Sequence, residues 1–497
     1  MMARMTRRGL LGGLVATAGG AAWAGPVATS LRPRLRPGPV ATGEMPRLRP
    51  DLDTLIARAQ LGGVVGVEMR DLETGETLLS NAAGTDLPPA SVTKALTSLY
   101  ALRQLGGAYR FSTRVLATGP IEAGLVQGDL ILAGGGDPTL NTDHLAEMTE
   151  ALAAQGITGI SGRLLCWGGA LPHIEEIEPG QLDHLGYNPA VSGLNLNFNR
   201  VHFQWARAGG DYEITMDART ERYRPDVAMS RVRLSSRSLP VYAYEGPDEW
   251  TVARSALGDG GARWLPVRRP ALYAGDVFRT LAGGQGLRLP EPVEIDTLPD
   301  SGTELLRHDS ATLRAILGDM MRYSTNLTAE VCGLAATRAR LGRPVGLHTS
   351  AAGMSTWLRQ TYGIGARFAD HSGLSDASRI SAADMVKVLA AEGAESDLRP
   401  LLKQIPMLDS ERQRIEEYPV AVAAKTGTLN FVSTLAGIAT APDGRDYAFA
   451  IFTANLDRRE AAKRVNDEVP EGSIAWNRRS RRLQQEILQR WGLTRRG

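Results

Sequence analysis

Cysteine is almost missing from this chain: Cys166 and Cys332 are the two copies in 497 residues. Two thiols cannot build a disulfide-held scaffold or a cysteine-based metal site. An exported protein could join them, but nothing in the sequence brings them together, and they read as two buried thiols. Histidine is sparse too, with seven scattered copies and none in an HExxH frame. No metal site and no cofactor is therefore expected. Charge of one sign is also lacking: 56 basic groups face 54 acidic ones, a net +2. That leaves no global field for a polyanion, and a nucleic-acid partner is not expected. Aromatics make up only 6%, but apolar residues reach 43%, enough for several cores, and the length calls for two or three domains.

The first residues read as an export signal. Arg4, Arg7 and Arg8 precede an uncharged Gly/Ala-rich stretch over 9–22, and Ala22-Trp23-Ala24 supplies a small-x-small cleavage pattern. Residues 1–24 are expected to be removed, and the mature chain to be periplasmic. Arg7-Arg8 followed by Gly9-Leu10-Leu11 resembles a twin-arginine signal, with the general export route as the alternative. No cysteine follows the apolar stretch, which speaks against a lipoprotein anchor. Residues 25–50 are rich in proline, arginine and small residues, with Leu-Arg-Pro recurring at Leu31, Leu35 and Leu48. They read as an extended, solvated linker.

Folded structure is expected from about Leu52. A strand over 64–71, a turn at 73–76 and a second strand at 77–79 make a hairpin. Residues 91–105 carry Ala95, Leu96, Leu99, Leu102 and Leu105 at helical spacing and stop at Gly106-Gly107. The middle, 114–294, is strand-rich, with helices near 140–152 and 272–281 and dense turn signals over 207–269. From about 305 the chain turns helical, then strand-like over 420–426, 432–439 and 447–455. A last helix over 480–491 puts Leu483, Ile487, Leu488 and Trp491 on one face and arginines elsewhere. It reads as a packed amphipathic helix, so membrane contact is at most peripheral. Strands at both ends imply one sheet built from both, with the middle as an insertion.

Three short motifs carry chemistry. Ser91-Val92-Thr93-Lys94 puts a hydroxyl and an amine three residues apart at a helix start, where they share a face. Ser324-Thr325-Asn326 stands at an inter-helix loop, and Lys425-Thr426-Gly427-Thr428 in a core strand. Each alone is weak evidence, because Ser91 suits a helix cap and lysines are usually solvated. Together and in this order they form the motif set of β-lactamases and penicillin-binding proteins. The chemistry requires Lys94 to be neutral, through burial and the neighbouring cation Lys425, so that it can take the proton of Ser91. Backbone N–H groups of Ser91 and Thr428 are the expected oxyanion donors. Ser324 can pass a proton to the leaving amine, and Asn326 can orient Lys94. Lys425, Thr426 and Thr428 suit a terminal carboxylate, and Gly427 lets a substrate lie against the strand.

The chain resembles the type-4 low-molecular-mass penicillin-binding proteins, D-alanyl-D-alanine carboxypeptidases that also act as endopeptidases. The 230 positions from Lys94 to Ser324 exceed those of class A and class C β-lactamases. Pro89 to Lys94, Gly134-Gly135-Gly136-Asp137-Pro138, Tyr187-Asn188 with Asn195 to Asn199, Ser324 to Leu327 with Ala329-Glu330, Asp370 to Ser375 with Arg379-Ile380-Ser381, and Lys425 to Leu429 carry the likeness. His371 stands where the family usually has a small residue, and it reads as a surface-loop histidine.

The resemblance implies an α/β fold: a β-lactamase/transpeptidase-like domain, an antiparallel sheet flanked by helices, built from 51–113 and 295–497. Nested β-rich domains would occupy 114–294, the inner one about 200–265. It also implies peptidoglycan stem peptides as substrate, an acyl-serine intermediate, and β-lactams as covalent inhibitors. The alternatives are a β-lactamase and a non-catalytic cell-wall binding protein of the same fold.

Overall fold

In the computed structural model, residues 51–494 are described, apart from 301, 394–395, 410 and 466. The export signal and linker expected over 1–50 lie outside the described residues. No helix among the described residues is long and apolar enough to cross a membrane.

The largest sheet has six strands, in the spatial order Lys403–Gln404, Ala421–Leu429, Val432–Thr440, Asp446–Ala454, Val64–Asp71 and Thr77–Asn81, all antiparallel. Early and late segments therefore meet in one sheet. The register of Val64 on Ala454 through Asp71 on Tyr447 joins them. The run Tyr447-Ala448-Phe449-Ala450-Ile451-Phe452 shows why this strand is central. Both of its faces are covered, so it does not alternate apolar with polar. Ala448, Ala450 and Phe452 face one core, with Leu96, Leu99 and Met385. Tyr447, Phe449 and Ile451 face another, with Leu55, Trp476, Leu483 and Trp491. Each such large side chain contributes about 1.5–3 kcal/mol by leaving water.

The first core lies under helices Thr93–Leu105, Leu313–Tyr323, Asn326–Leu341, Leu347–Tyr362 and Ala382–Glu392. The second is closed by Leu52–Ala59 and the C-terminal helix Ser473–Thr494. That last helix is longer than its apolar spacing suggests, and its apolar face is packed as expected.

The middle of the chain forms a five-stranded sheet in the order Pro292–Ile295, Leu164–Trp167, Leu130–Gly134, Ser112–Ala117, Thr303–Asp309. Helices Thr142–Ala154 and Pro270–Gly284 share its core. Two three-stranded sheets follow within 200–266, one of them with Arg231–Ser235 parallel to Glu249–Ala253. The Gly-rich turn has a packing reason. A Cβ on Gly134 would lie 2.4 Å from Gly193 O, and one on Gly135 would lie 2.3 Å from Ser112 O. Both thiols are buried and free.

Candidate active site

Ser91 lies in a 3-10 turn, Ala90–Val92, that runs directly into the helix Thr93–Leu105. The turn is strained at Ala90, whose φ of 46° is unusual for a residue with a Cβ. One turn on, the Lys94 side chain is completely buried. Its Nζ donates to Ser91 Oγ at 2.9 Å, to Asn326 Oδ1 at 2.8 Å and to the Ser372 carbonyl at 2.8 Å. These are all the donors an ammonium has. In the neutral amine two N–H bonds suffice for Asn326 and Ser372, and the lone pair is left facing Ser91 Oγ.

Asn326 opens the helix Asn326–Leu341, and its Nδ2 donates to the Tyr187 carbonyl at 2.9 Å, tying the middle of the chain to this corner. Ser324 ends the preceding helix in a left-handed conformation, φ 61° and ψ 37°, with its N–H on Met320 O. Its Oγ accepts from Lys425 Nζ at 3.0 Å. Lys425 is in mid-strand, 2% exposed, and also donates to Thr426 O at 2.8 Å. The three motifs thus meet, linked by Lys94 to Asn326 and by Lys425 to Ser324.

The strand Ala421–Leu429 presents an edge to this corner. Val422 O accepts from Ile405 N at 2.8 Å, so by alternation Thr426 and Thr428 point their N–H and C=O groups to the same side. Beyond Ala424 no strand pairs there among the described residues. Thr426 and Thr428 are exposed. Gly427 is also required by the packing of the strand. A Cβ there would lie 2.2 Å from Thr434 Oγ1, 2.8 Å from Ser91 N and 2.9 Å from Pro89 O. The glycine seats the strand against the nucleophile turn.

The electrostatics also differ from expectation in detail. Burial lowers Lys94 to about 8, and the nearby carboxylates Glu330 and Asp370 oppose that shift. The repulsion between the two amines falls on Lys425. Burial, then Lys94 and then Lys403, bring it down to about 6. Between these values the pair of amines holds one proton, mostly on Lys94, so the site without substrate does not hold the neutral Lys94 that the sequence leads one to expect.

Several residues that shape the site had no role assigned from sequence. Glu330, fully buried, accepts from His371 N at 2.8 Å and Ser372 N at 2.9 Å, and so fixes the carbonyl that holds Lys94. Its i,i+4 spacing from Asn326 was the available signal, because it places both on one helix face. Burial and then Asp370 raise it to about 8. Asp370 in turn accepts from Gly373 N at 3.0 Å and Ser375 N at 2.6 Å. His371 is no surface residue: it is completely buried, with Nε2 2.8 Å from Ser350 Oγ, and burial drives it down to about 3. Gly333 makes room for it, since a Cβ there would lie 2.1 Å from the imidazole. No cluster of histidine, cysteine or carboxylate groups suited to a metal occurs among the described residues.

The chain is 28% identical over 443 residues to a D-alanyl-D-alanine carboxypeptidase of an Actinomadura species, covering 81% of this chain and 80% of that one. It is 23% identical to the D-alanyl-D-alanine carboxypeptidase DacB of Haemophilus influenzae, covering 79% and 85%. The crystal structure of penicillin binding protein 4 from Haemophilus influenzae superposes with a TM-score of 0.70 at 20% identity, over 88% of this chain and all of that one. The same protein has also been solved in complex with a β-lactam. Residues 48–471 match the D-Ala-D-Ala carboxypeptidase 3 (S13) family, and the chain belongs to that family.

Proposed function

We propose that this protein is a periplasmic, penicillin-sensitive serine peptidase that removes the terminal D-alanine of peptidoglycan stem peptides through an acyl-Ser91 intermediate. The observation that carries this is Lys94, with two of its three hydrogen bonds taken by fixed acceptors and the third directed at Ser91 Oγ. Neutral Lys94 takes the proton as Ser91 attacks the carbonyl carbon. The oxyanion is held by the N–H groups of Ser91 and Thr428. Ser324, bonded to Lys425, delivers the proton to the leaving amine. Lys425, Thr426 and Thr428 hold the substrate carboxylate, and that carboxylate also favours charge on Lys425 over charge on Lys94. Binding thereby leaves the base neutral. Water then hydrolyses the ester.

The finer architecture belongs to the same reading. A transpeptidase-like domain carries the six-stranded sheet and its helices, and β-rich domains are inserted between the first and second motifs. Thr303–Asp309 pairs with Ser112–Ala117 in the five-stranded sheet, so in this division the chain returns to the catalytic part near Asp309.

Incubation with a fluorescent penicillin is expected to give a long-lived adduct on Ser91, located by peptide mass mapping, and D-alanine release from a pentapeptide. Ser91→Ala should abolish both. Rapid turnover of the penicillin would favour a β-lactamase, and D-alanine release by the alanine variant would exclude Ser91 as nucleophile.

A further inference from the structure

Residues 175–188 form neither helix nor strand, yet they deliver the carbonyl that receives the Asn326 side chain. A carbonyl only accepts, so the Tyr187 oxygen selects the NH2 end of the Asn326 amide and leaves its Oδ1 for Lys94 Nζ at 2.8 Å. With the amide turned over, two N–H groups would face the amine. The direction of the Tyr187 carbonyl is set inside the segment. Asn188 N donates to Leu185 O at 2.9 Å, and across that trans peptide plane the Tyr187 oxygen points the opposite way, towards Asn326. The completely buried Asn188 side chain closes the segment on itself, accepting from Glu178 N at 2.9 Å and donating to Glu178 O at 3.0 Å.

What holds the closed segment in place comes from beyond the inner strands. Arg268, 4% exposed, donates from Nη1 to Glu175 O and Asn188 O, both at 2.9 Å, and from Nη2 to Asp183 O at 3.1 Å. One guanidinium therefore ties three main-chain carbonyls from both limbs of the segment, with the Glu176 carboxylate 3.7 Å away. Arg268 is itself fixed by Asp248, a fully buried residue in the turn between Tyr242–Gly246 and Glu249–Ala253. Asp248 Oδ1 accepts from Arg268 N at 2.6 Å, and its Oδ2 accepts from Arg269 Nε at 2.9 Å.

We propose that Arg268 is a positioning residue for acylation: it braces residues 175–188 so that the Tyr187 carbonyl keeps the Asn326 oxygen on Lys94. This rests on the catalytic reading above. It also gives the inserted strands a part in the reaction, because a chain of hydrogen bonds runs from Asp248 through Arg268, the Tyr187–Asn188 peptide and Asn326 to the base. Without the brace the Tyr187 carbonyl swings away, the Asn326 amide is free to turn, and Lys94 loses one of the two acceptors that aim its lone pair at Ser91 Oγ. Lysine cannot take over, since a single ammonium on a flexible stem does not span three carbonyls as a rigid fork does.

The test is a double-mutant cycle on the full chain, combining Arg268→Met with Asn326→Ala. The readout is the second-order rate of Ser91 acylation by a fluorescent penicillin, counted per penicillin-binding site so that any unfolded fraction drops out. Arg268→Met alone is expected to lower this rate by about 10–10²-fold, the scale for a group misplaced by about 1 Å. In the Asn326→Ala protein the same substitution should change it within about twofold, because no amide is left to position. Arg268→Lys, which keeps the charge and is the milder structural change, should fall between parent and Arg268→Met, and it supplies the same cycle should the methionine variant not fold. A parent-like rate in a folded Arg268 variant, or losses that simply multiply in the double variant, overturns the assignment. A parent that forms no adduct on Ser91 overturns the catalytic reading itself.

Discussion

Lys94→Met is expected to lower the rate of Ser91 acylation by about 10³-fold while the protein stays folded, because a positioned proton acceptor contributes about 10²–10⁴ to such a step. Methionine fills the same buried channel but has no lone pair to receive the Ser91 proton. The structural cost is contained. Asn326 Oδ1 and Ser372 O each lose a donor, at about 1–3 kcal/mol for a buried acceptor left unpaired. Removing a buried cation beside two carboxylates would ordinarily cost more. Here burial and Asp370 already push Glu330 up, so its carboxyl holds a proton more readily once the cation is gone, and Asp370 keeps its bonds from Gly373 N and Ser375 N. Stopped-flow acylation by a β-lactam with a parallel thermal melt separates the two effects. Parent-like acylation in a folded variant would remove Lys94 from the proposed role.

Gly427→Ala is expected to be nearly as damaging although it adds one methyl group. That methyl has no room against Thr434 Oγ1, Ser91 N and Pro89 O, two of which are backbone or close to it in rigidity. The strand must move off the nucleophile turn, carrying the Thr428 N–H and Lys425 with it. Misplacing reacting groups by about 1 Å costs about 10²-fold, and overpacking costs about 1–3 kcal/mol of stability. Gly84→Ala is the control, because a Cβ there meets nothing within 4 Å. It should leave melting temperature and acylation unchanged. A Gly427→Ala protein as active as the parent would mean that this seat is looser than the distances show.

Much of this site was legible because the motifs sit in strongly patterned segments. Leu96, Leu99 and Leu102 mark the helix that carries Lys94, and the run 447–452 marks a strand covered on both faces. Order and context then brought Ser91, Ser324, Asn326 and Lys425 into one corner. What sequence could not show depends on contacts with no residue signature. The third acceptor of Lys94 is the main-chain carbonyl of Ser372, which any residue would supply. His371 reads as a loop histidine because its loop is polar, yet the space left by Gly333, 38 positions earlier, takes it inside. The packing role of Gly427 was not legible either, since pattern does not tell which neighbours a Cβ there would meet. The charge around Lys94 was misjudged for a related reason: Glu330 and Asp370 come from different elements, and only the fold sets them beside it.

The most direct measurement is the pH dependence of kcat/KM, or of the second-order acylation rate by a β-lactam, from pH 4.5 to 10. The reactive form requires charge on Lys425 to hold a carboxylate and a neutral Lys94 to take the serine proton, which is one proton shared by two amines. With the pair at about 6 and about 8, the expected profile is a bell. Below about 6 both amines are charged and the base is lost. Above about 8 both are neutral and the carboxylate anchor is lost. A profile that stays flat across this range, or one that climbs through pH 9 without descending, would contradict the division of labour between Lys94 and Lys425.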